Sequence, residues 1–122
     1  MEKERRKYLR AEIKWPVNLW TAQAHIKGET RNISAGGVYL ESKMLPSKDE
    51  IFNMAIKPYH LQPLSVTVKV AWVNMYASSD NKFKPHGTGV LFVKISDEDR
   101  QFLSRVVSDH LKSELEKETT DK

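Results

Sequence analysis

From residue 11 to residue 95 apolar and polar positions alternate with a period of two. Ile13, Trp15, Val17 and Leu19 interleave with Lys14, Pro16, Asn18 and Trp20, and Leu64, Val66, Val68, Val70 and Trp72 interleave with Ser65, Thr67, Lys69 and Ala71. Successive side chains of an extended chain point to opposite faces, so this pattern predicts strands with one face on a core and the other in water. Shorter runs at 23–30, 37–41, 50–56 and 87–95 bring the expectation to about six strands, with turns at Ala35-Gly36-Gly37, Leu45-Pro46-Ser47 and Ser78-Ser79-Asp80-Asn81 between them. Pro16 has no backbone donor, which predicts an edge or bulged position there. The alternation puts Trp15 and Trp72 on core faces, while Trp20 falls on the opposite face, as a surface contact or local packing.

After Ile95 the period becomes that of a helix. Ser96 followed by Asp99 has the form of a capping box, and Asp97, Glu98 and Asp99 lie in the first turn, where negative charge favours the positive end of the helix dipole. Capping is a sufficient role for these carboxylates, and no general acid or base work is assigned to them. Phe102, Leu103, Val106, His110, Leu111 and Leu115 recur at three- and four-residue spacing, which predicts one apolar face packed on the sheet or over the end of a barrel. The helix is expected over about 96–116, with a frayed polar tail at 117–122. Antiparallel strands with short connections leave exposed edges unless the sheet closes. The expected fold is therefore all-β with one C-terminal helix, a six-stranded antiparallel β-barrel over 11–116. An open sheet or sandwich with the helix on one face is the second choice.

Composition narrows the chemistry. The chain has 122 residues and no cysteine, and its four histidines stand 24 to 35 residues apart with no His-x-x-x-His or Glu-x-x-His spacing. A disulfide framework, a thiol nucleophile and a Cys-based zinc site are excluded, and no metal or cofactor is expected. The longest apolar runs are far below the roughly 20 residues that span a bilayer, so the expectation is a cytoplasmic protein with no membrane span. No nucleophile, base and orienting group stand at recognisable spacing, so an enzyme is not expected.

The net charge of +4 is localised. Residues 1–37 hold 8 basic and 4 acidic side chains, a balance of +4, whereas residues 38–122 hold 12 of each. Such a cluster either solvates a tail or attracts phosphate. Two segments favour the second reading. In Arg6-Lys7-Tyr8-Leu9-Arg10 two guanidinium groups can converge on one ligand, offering planar donors suited to phosphate and to the O6/N7 edge of guanine. In Arg31-Asn32-Ile33-Ser34-Ala35-Gly36-Gly37, Asn32 and Ser34 share a face if extended, and the two glycines let the backbone turn and approach a ligand. The same residues also suit a turn in which Asn and Ser bond their own backbone. Gly87-Thr88-Gly89 lacks the remaining features of a dinucleotide fingerprint and reads as a bulge or tight bend, with His86 beside it read as a surface histidine.

Together, Arg6-x-x-x-Arg10 ahead of the first strand and Asn32-x-Ser34-x-x-Gly37 after the second resemble the PilZ domain family, bacterial receptors for cyclic di-GMP. The resemblance continues through Gly37-Val38-Tyr39-Leu40, Val70-Ala71-Trp72 and Gly89-Val90-Leu91-Phe92. It implies a six-stranded barrel that binds cyclic di-GMP on one face with a flexible basic arm, residues 1–10. Arg6 and Arg10 would stack on or bond to guanine and phosphate, Asn32 and Ser34 would bond base edge or phosphate, and Gly37 would keep the turn open. Arg5 beside the pair implies two ligand molecules stacked on each other. The implied role is a receptor or adaptor that changes its arm and its partner surface on binding ligand. Its output would pass to another protein that regulates motility, surface attachment or exopolysaccharide. The alternatives are a small basic nucleic-acid-binding barrel, for which the basic cluster offers only Tyr8 as a stacking residue, and a PilZ-like scaffold without ligand.

Overall fold

The computed structural model describes residues 8–74 and 86–120. Its strands are β1 (Ala11–Glu12), β2 (Pro16–Trp20), β3 (His25–Ile33), β4 (Gly37–Ser42), β5 (Ile51–Ile56), β6 (Leu64–Asn74) and β7 (His86–Lys94), followed by α1 (Asp97–Thr120). Every pairing is antiparallel, and β3-β2-β5-β6-β7-β4 closes on itself through the β4–β3 pair. That closure makes a six-stranded barrel and removes the edges an open sheet would carry.

β1 and β2 are one expected strand interrupted at Ile13–Trp15, because both pair with β3. A buried threonine bridges the interruption. Thr30 Oγ1 accepts the Trp15 N–H at 2.8 Å and donates to the Ile13 carbonyl at 2.6 Å, while the Thr30 N–H donates to the Trp15 carbonyl at 2.9 Å. Pro16 is therefore not on an edge. It opens β2, between β3 and β5, where a missing donor is tolerated, and its carbonyl accepts the Lys57 N–H at 2.9 Å.

Val17 and Leu19 of β2, Leu40 of β4, Met54 and Ile56 of β5, and Val66, Val68 and Val70 of β6 fill the interior. The period of two then breaks. Val70 opposes Val90 and Trp72 opposes Gly89, so Ala71 is an extra residue in β6. One inserted residue moves the next side chain to the other face. Trp72, expected in the core, lies outside and is 44% exposed, whereas Trp15 is buried and stacks on Phe102 with ring centroids 6.3 Å apart. Trp20 is exposed and stacks on His25 at 5.3 Å. Gly87-Thr88-Gly89 is neither bend nor bulge: it lies within β7, paired to β4 and β6, and the bulge is across from it in β6.

At α1 the Asp99 N–H donates to Ser96 Oγ at 3.0 Å, the expected cap. Leu103 and Val107 are buried in the barrel core, with Phe102, Val106 and Leu111 packed partly against it. Val107 was not on the expected face, and Leu115, which was, is 64% exposed. The helix continues to Thr120, past the expected end at 116.

Candidate functional site

A barrel this small is filled by its own side chains, so a ligand must bind outside it. On the outer surface, where the chain enters β1 and where β3 turns into β4, lies a concavity of about 470 Å³, a size that suits a small-molecule ligand. Arg10, Asn32, Ser34 and Gly37 all line it. Arg5 and Arg6 lie outside the described residues, as does most of the expected arm.

The β3–β4 turn is built by Ser34. Its N–H donates to the Gly37 carbonyl at 3.0 Å, and its hydroxyl donates to the same carbonyl at 3.2 Å while accepting the N–H groups of Gly36 at 3.1 Å and Gly37 at 3.2 Å. The Ser34 side chain is thus committed to its own turn, as the simpler of the two sequence readings had it. Asn32 differs. β3 is bulged between Thr30 and Asn32, so Thr30 and Ile33 point inward and Asn32 points out. Among the described residues no hydrogen bond uses the Asn32 side-chain amide, and no ion pair uses the exposed Arg10 guanidinium. Arg31, by contrast, is paired with Glu41.

The glycines act through close approach, since no glycine among the described residues has positive φ. A Cβ on Gly37 would run into the Val90 carbonyl oxygen of β7, so a side chain there would force β4 and β7 apart. A Cβ on Gly36 would come within 2.6 Å and 2.8 Å of the Tyr8 ring, which lies against the bare backbone. Gly87 and Gly89 likewise leave room for the rings of Tyr39 and Trp72. Those two rings stack at 5.0 Å and 22° and form an aromatic wall of the concavity.

Four residues of the site's surroundings were not assigned to it from the sequence. Trp72 escaped because the bulge at Ala71 is invisible to periodicity, and Tyr39 stood only within the family resemblance, although Gly87 and Gly89 at alternate positions signal that something large lies over β7. Tyr8 was visible only as part of the basic segment. Arg100 of α1 lies outside the apolar face expected for the helix, and its Nη1 donates to the Ala35 carbonyl at 2.9 Å and to Tyr8 Oη at 3.3 Å.

The concavity thus combines a guanidinium and an amide that are unpaired among the described residues with an aromatic plane, the groups that recognise a planar base carrying phosphate. A second and more open depression, near Lys27, Gly28, Glu29, Glu41 and Lys43, has mixed charge and no aromatic wall. Among the described residues no group of three or more histidine, aspartate or glutamate side chains is placed to hold a metal ion. No helix among them is long and apolar enough to cross a membrane.

Comparison with known proteins agrees with this fold. The family model described as PilZ domain matches residues 4–109. No curated protein sequence matches. Among solved structures, the inhibitor of motility MotI/DgrA from Bacillus subtilis is similar at TM-score 0.70 and 18% identity, covering 92% of this chain and 52% of its own. The PilZ domain of YcgR from Escherichia coli, solved with c-di-GMP, is similar at TM-score 0.74 and 13% identity, covering 95% of this chain and 98% of that domain. The MrkH–c-di-GMP complex from K. pneumonia gives TM-score 0.76 at 15% identity, covering 92% and 55%. The chain therefore spans about half the length of MotI and of MrkH. At these identities the structural likeness shows the fold, and the family model, which covers most of the sequence, shows that the chain belongs to the PilZ domain family.

Proposed function

We propose that this chain is a cyclic di-GMP receptor that binds its ligand on the outer barrel face at the concavity of Arg10, Asn32 and Trp72. The observation that carries the proposal is that Arg10 from one motif and Asn32, Ser34 and Gly37 from the other, far apart in sequence, line one cavity. Cyclic di-GMP presents two phosphates and two guanines. Arg10 supplies a charge-assisted, multidentate donor for phosphate or for guanine O6/N7, and Asn32 supplies an amide for the base edge or a phosphate. Ser34 acts indirectly, by holding the turn, and Trp72 offers a stacking face. Arg5 and Arg6 complete the basic set, and with Arg5 present two stacked ligand molecules are expected per chain. The c-di-GMP complexes of YcgR and MrkH support the ligand class, and MotI, an inhibitor of motility, supports an output in motility. The output passes to a partner protein through the rearranged arm and the surface beside it, in control of motility, attachment or exopolysaccharide.

Calorimetry with cyclic di-GMP, cyclic di-AMP and GTP in parallel tests the assignment. Selective binding of cyclic di-GMP is expected, and Arg10→Ala should weaken it by at least about 2 kcal/mol while circular dichroism stays unchanged. Equal affinity for cyclic di-AMP, or undiminished binding by Arg10→Ala, would defeat it.

A further inference from the structure

Arg100 stands in the first turn of α1 with Asp97, Glu98 and Asp99 immediately before it. An arginine in such company ordinarily pairs with a carboxylate, but among the described residues no salt bridge uses Arg100. Its guanidinium instead reaches across to two backbone segments that belong to neither its helix nor each other. Nη1 donates to the Ala35 carbonyl in the β3–β4 turn at 2.9 Å and to Tyr8 Oη at 3.3 Å, and Cζ lies 5.8 Å from the centre of the Tyr8 ring. The Tyr8 ring in turn lies against Gly36 of the same turn. One planar cation thereby ties the segment two residues before Arg10 to the turn that begins two residues after Asn32.

We propose that Arg100 is a positioning residue for the ligand site: it docks the Arg10 segment onto the β3–β4 turn before ligand arrives, so that Arg10 and Asn32 face one another in a preformed cavity. Arg100 does not line the cavity and contributes through Tyr8 and Ala35 rather than by touching ligand. A flexible segment that must be ordered on binding subtracts that ordering cost from affinity, and a contact that orders it beforehand removes the subtraction. The planarity of guanidinium matters because the two N–H bonds of Nη1 hold two acceptors in fixed directions while the plane lies near an aromatic ring. A lysine ammonium offers the charge without the plane. The part of the inference that concerns affinity rests on the cyclic di-GMP reading; the docking of the arm does not.

The experiment uses the full chain and two readouts. In the ligand-free protein, hydrogen exchange of the amides of residues 8–10 and 34–37 should accelerate at least about tenfold in Arg100→Ala and in Tyr8→Ala, with no comparable change in the Leu64–Asn74 strand. In titration with cyclic di-GMP, each single variant should bind about tenfold more weakly, the double variant no more weakly than either single one, and Arg100→Lys as weakly as Arg100→Ala. Tyr8→Phe, which keeps the ring on Gly36 but loses the Oη acceptor of Arg100, should bind more weakly than the unmodified protein and more tightly than Tyr8→Ala. Unchanged exchange in Arg100→Ala overturns the docking outright, whatever the ligand. Full affinity in Arg100→Lys, or additive losses in the double variant, would mean that Arg100 acts only as a charge, and the positioning role is then rejected. If the unmodified protein binds no cyclic di-GMP while the exchange differences appear, the ligand assignment fails and the arm docking stands.

Discussion

Two threonines in the barrel wall, Thr30 and Thr88, are fully buried but have opposite hydrogen-bond balances, so the same substitution should move stability in opposite directions. Thr30 Oγ1 serves two backbone groups across the break between β1 and β2. Valine there keeps the volume but turns a methyl toward the Trp15 N–H, a buried donor, and toward the Ile13 carbonyl, which is only partly buried and can find water. An unsatisfied buried polar group costs about 1–3 kcal/mol and a lost hydrogen bond about 1 kcal/mol, so Thr30→Val should destabilise by about 2–3 kcal/mol. Thr88 Oγ1 is also buried but has no hydrogen-bond partner among the described residues. Thr88→Val removes a desolvated hydroxyl without exposing another group, and should stabilise by about 1 kcal/mol. For a chain of this length 1 kcal/mol shifts Tm by about 3–6 °C, so thermal unfolding should show a loss of roughly 6–18 °C for Thr30→Val and a gain of a few degrees for Thr88→Val. Thr30→Ser, which keeps the hydroxyl, should lose much less than Thr30→Val. Urea unfolding should give the same order with unchanged m values. If both valine variants shift the midpoint in the same direction, the hydrogen-bond accounting is wrong for at least one site.

Gly37→Ala should destabilise by about 1–3 kcal/mol and abolish cyclic di-GMP binding, because its Cβ meets the β7 backbone, whereas Gly36→Ala need only displace the Tyr8 ring and should leave the barrel intact; equal melting temperatures for the two variants would contradict this. Trp72→Leu removes an exposed plane, so binding should weaken by about 1–3 kcal/mol with Tm nearly unchanged, and calorimetry beside thermal unfolding separates the two effects. The unmodified chain should bind two cyclic di-GMP molecules and Arg5→Ala fewer; a saturating ratio of one for the unmodified chain would remove Arg5 from the site and leave Arg10 and Asn32 in place.

The barrel was legible because it rests on a period that repeats strand after strand. Val17 and Leu19, or Leu64 through Val70, occupy the interior as their spacing predicts. The start of the helix was legible for a similar reason, since Ser96 and the acidic first turn are local chemistry acting within a few residues. Closure itself is a long-range event: the β3–β4 hairpin is local, but nothing within the strands states that β2 pairs with β5 or that β4 pairs with β7 to complete the ring. The role of Arg100 is hidden for the same reason, because its two acceptors, Tyr8 and Ala35, are 92 and 65 residues away in the chain. The end of the helix was misread because the polar residues after Lys112 lack an apolar face, which ends packing but does not end hydrogen bonding along the helix axis.

Two of the irregularities that interrupt the period bear directly on the site. Counting by twos from Thr30, which points inward, puts Asn32 inward as well; counting by twos from Val70 does the same for Trp72. In each strand one extra residue, Arg31 in β3 and Ala71 in β6, turns the next residue outward. The outcome is an amide and an indole on the outer face, both lining the same concavity. A regular strand would have delivered these side chains to the core, where an unpaired amide is costly and a tryptophan needs more room than a small barrel has. Bulges leave the core pattern intact on either side while re-aiming one side chain each, which is how a closed barrel acquires polar and stacking groups on its outside without disturbing the packing within. Gly89 matters to the same design: it faces Trp72 across the β6–β7 pair and leaves the indole a seat against bare backbone. A side chain at Gly89 should therefore displace Trp72 and weaken ligand binding even though glycine itself offers no functional group.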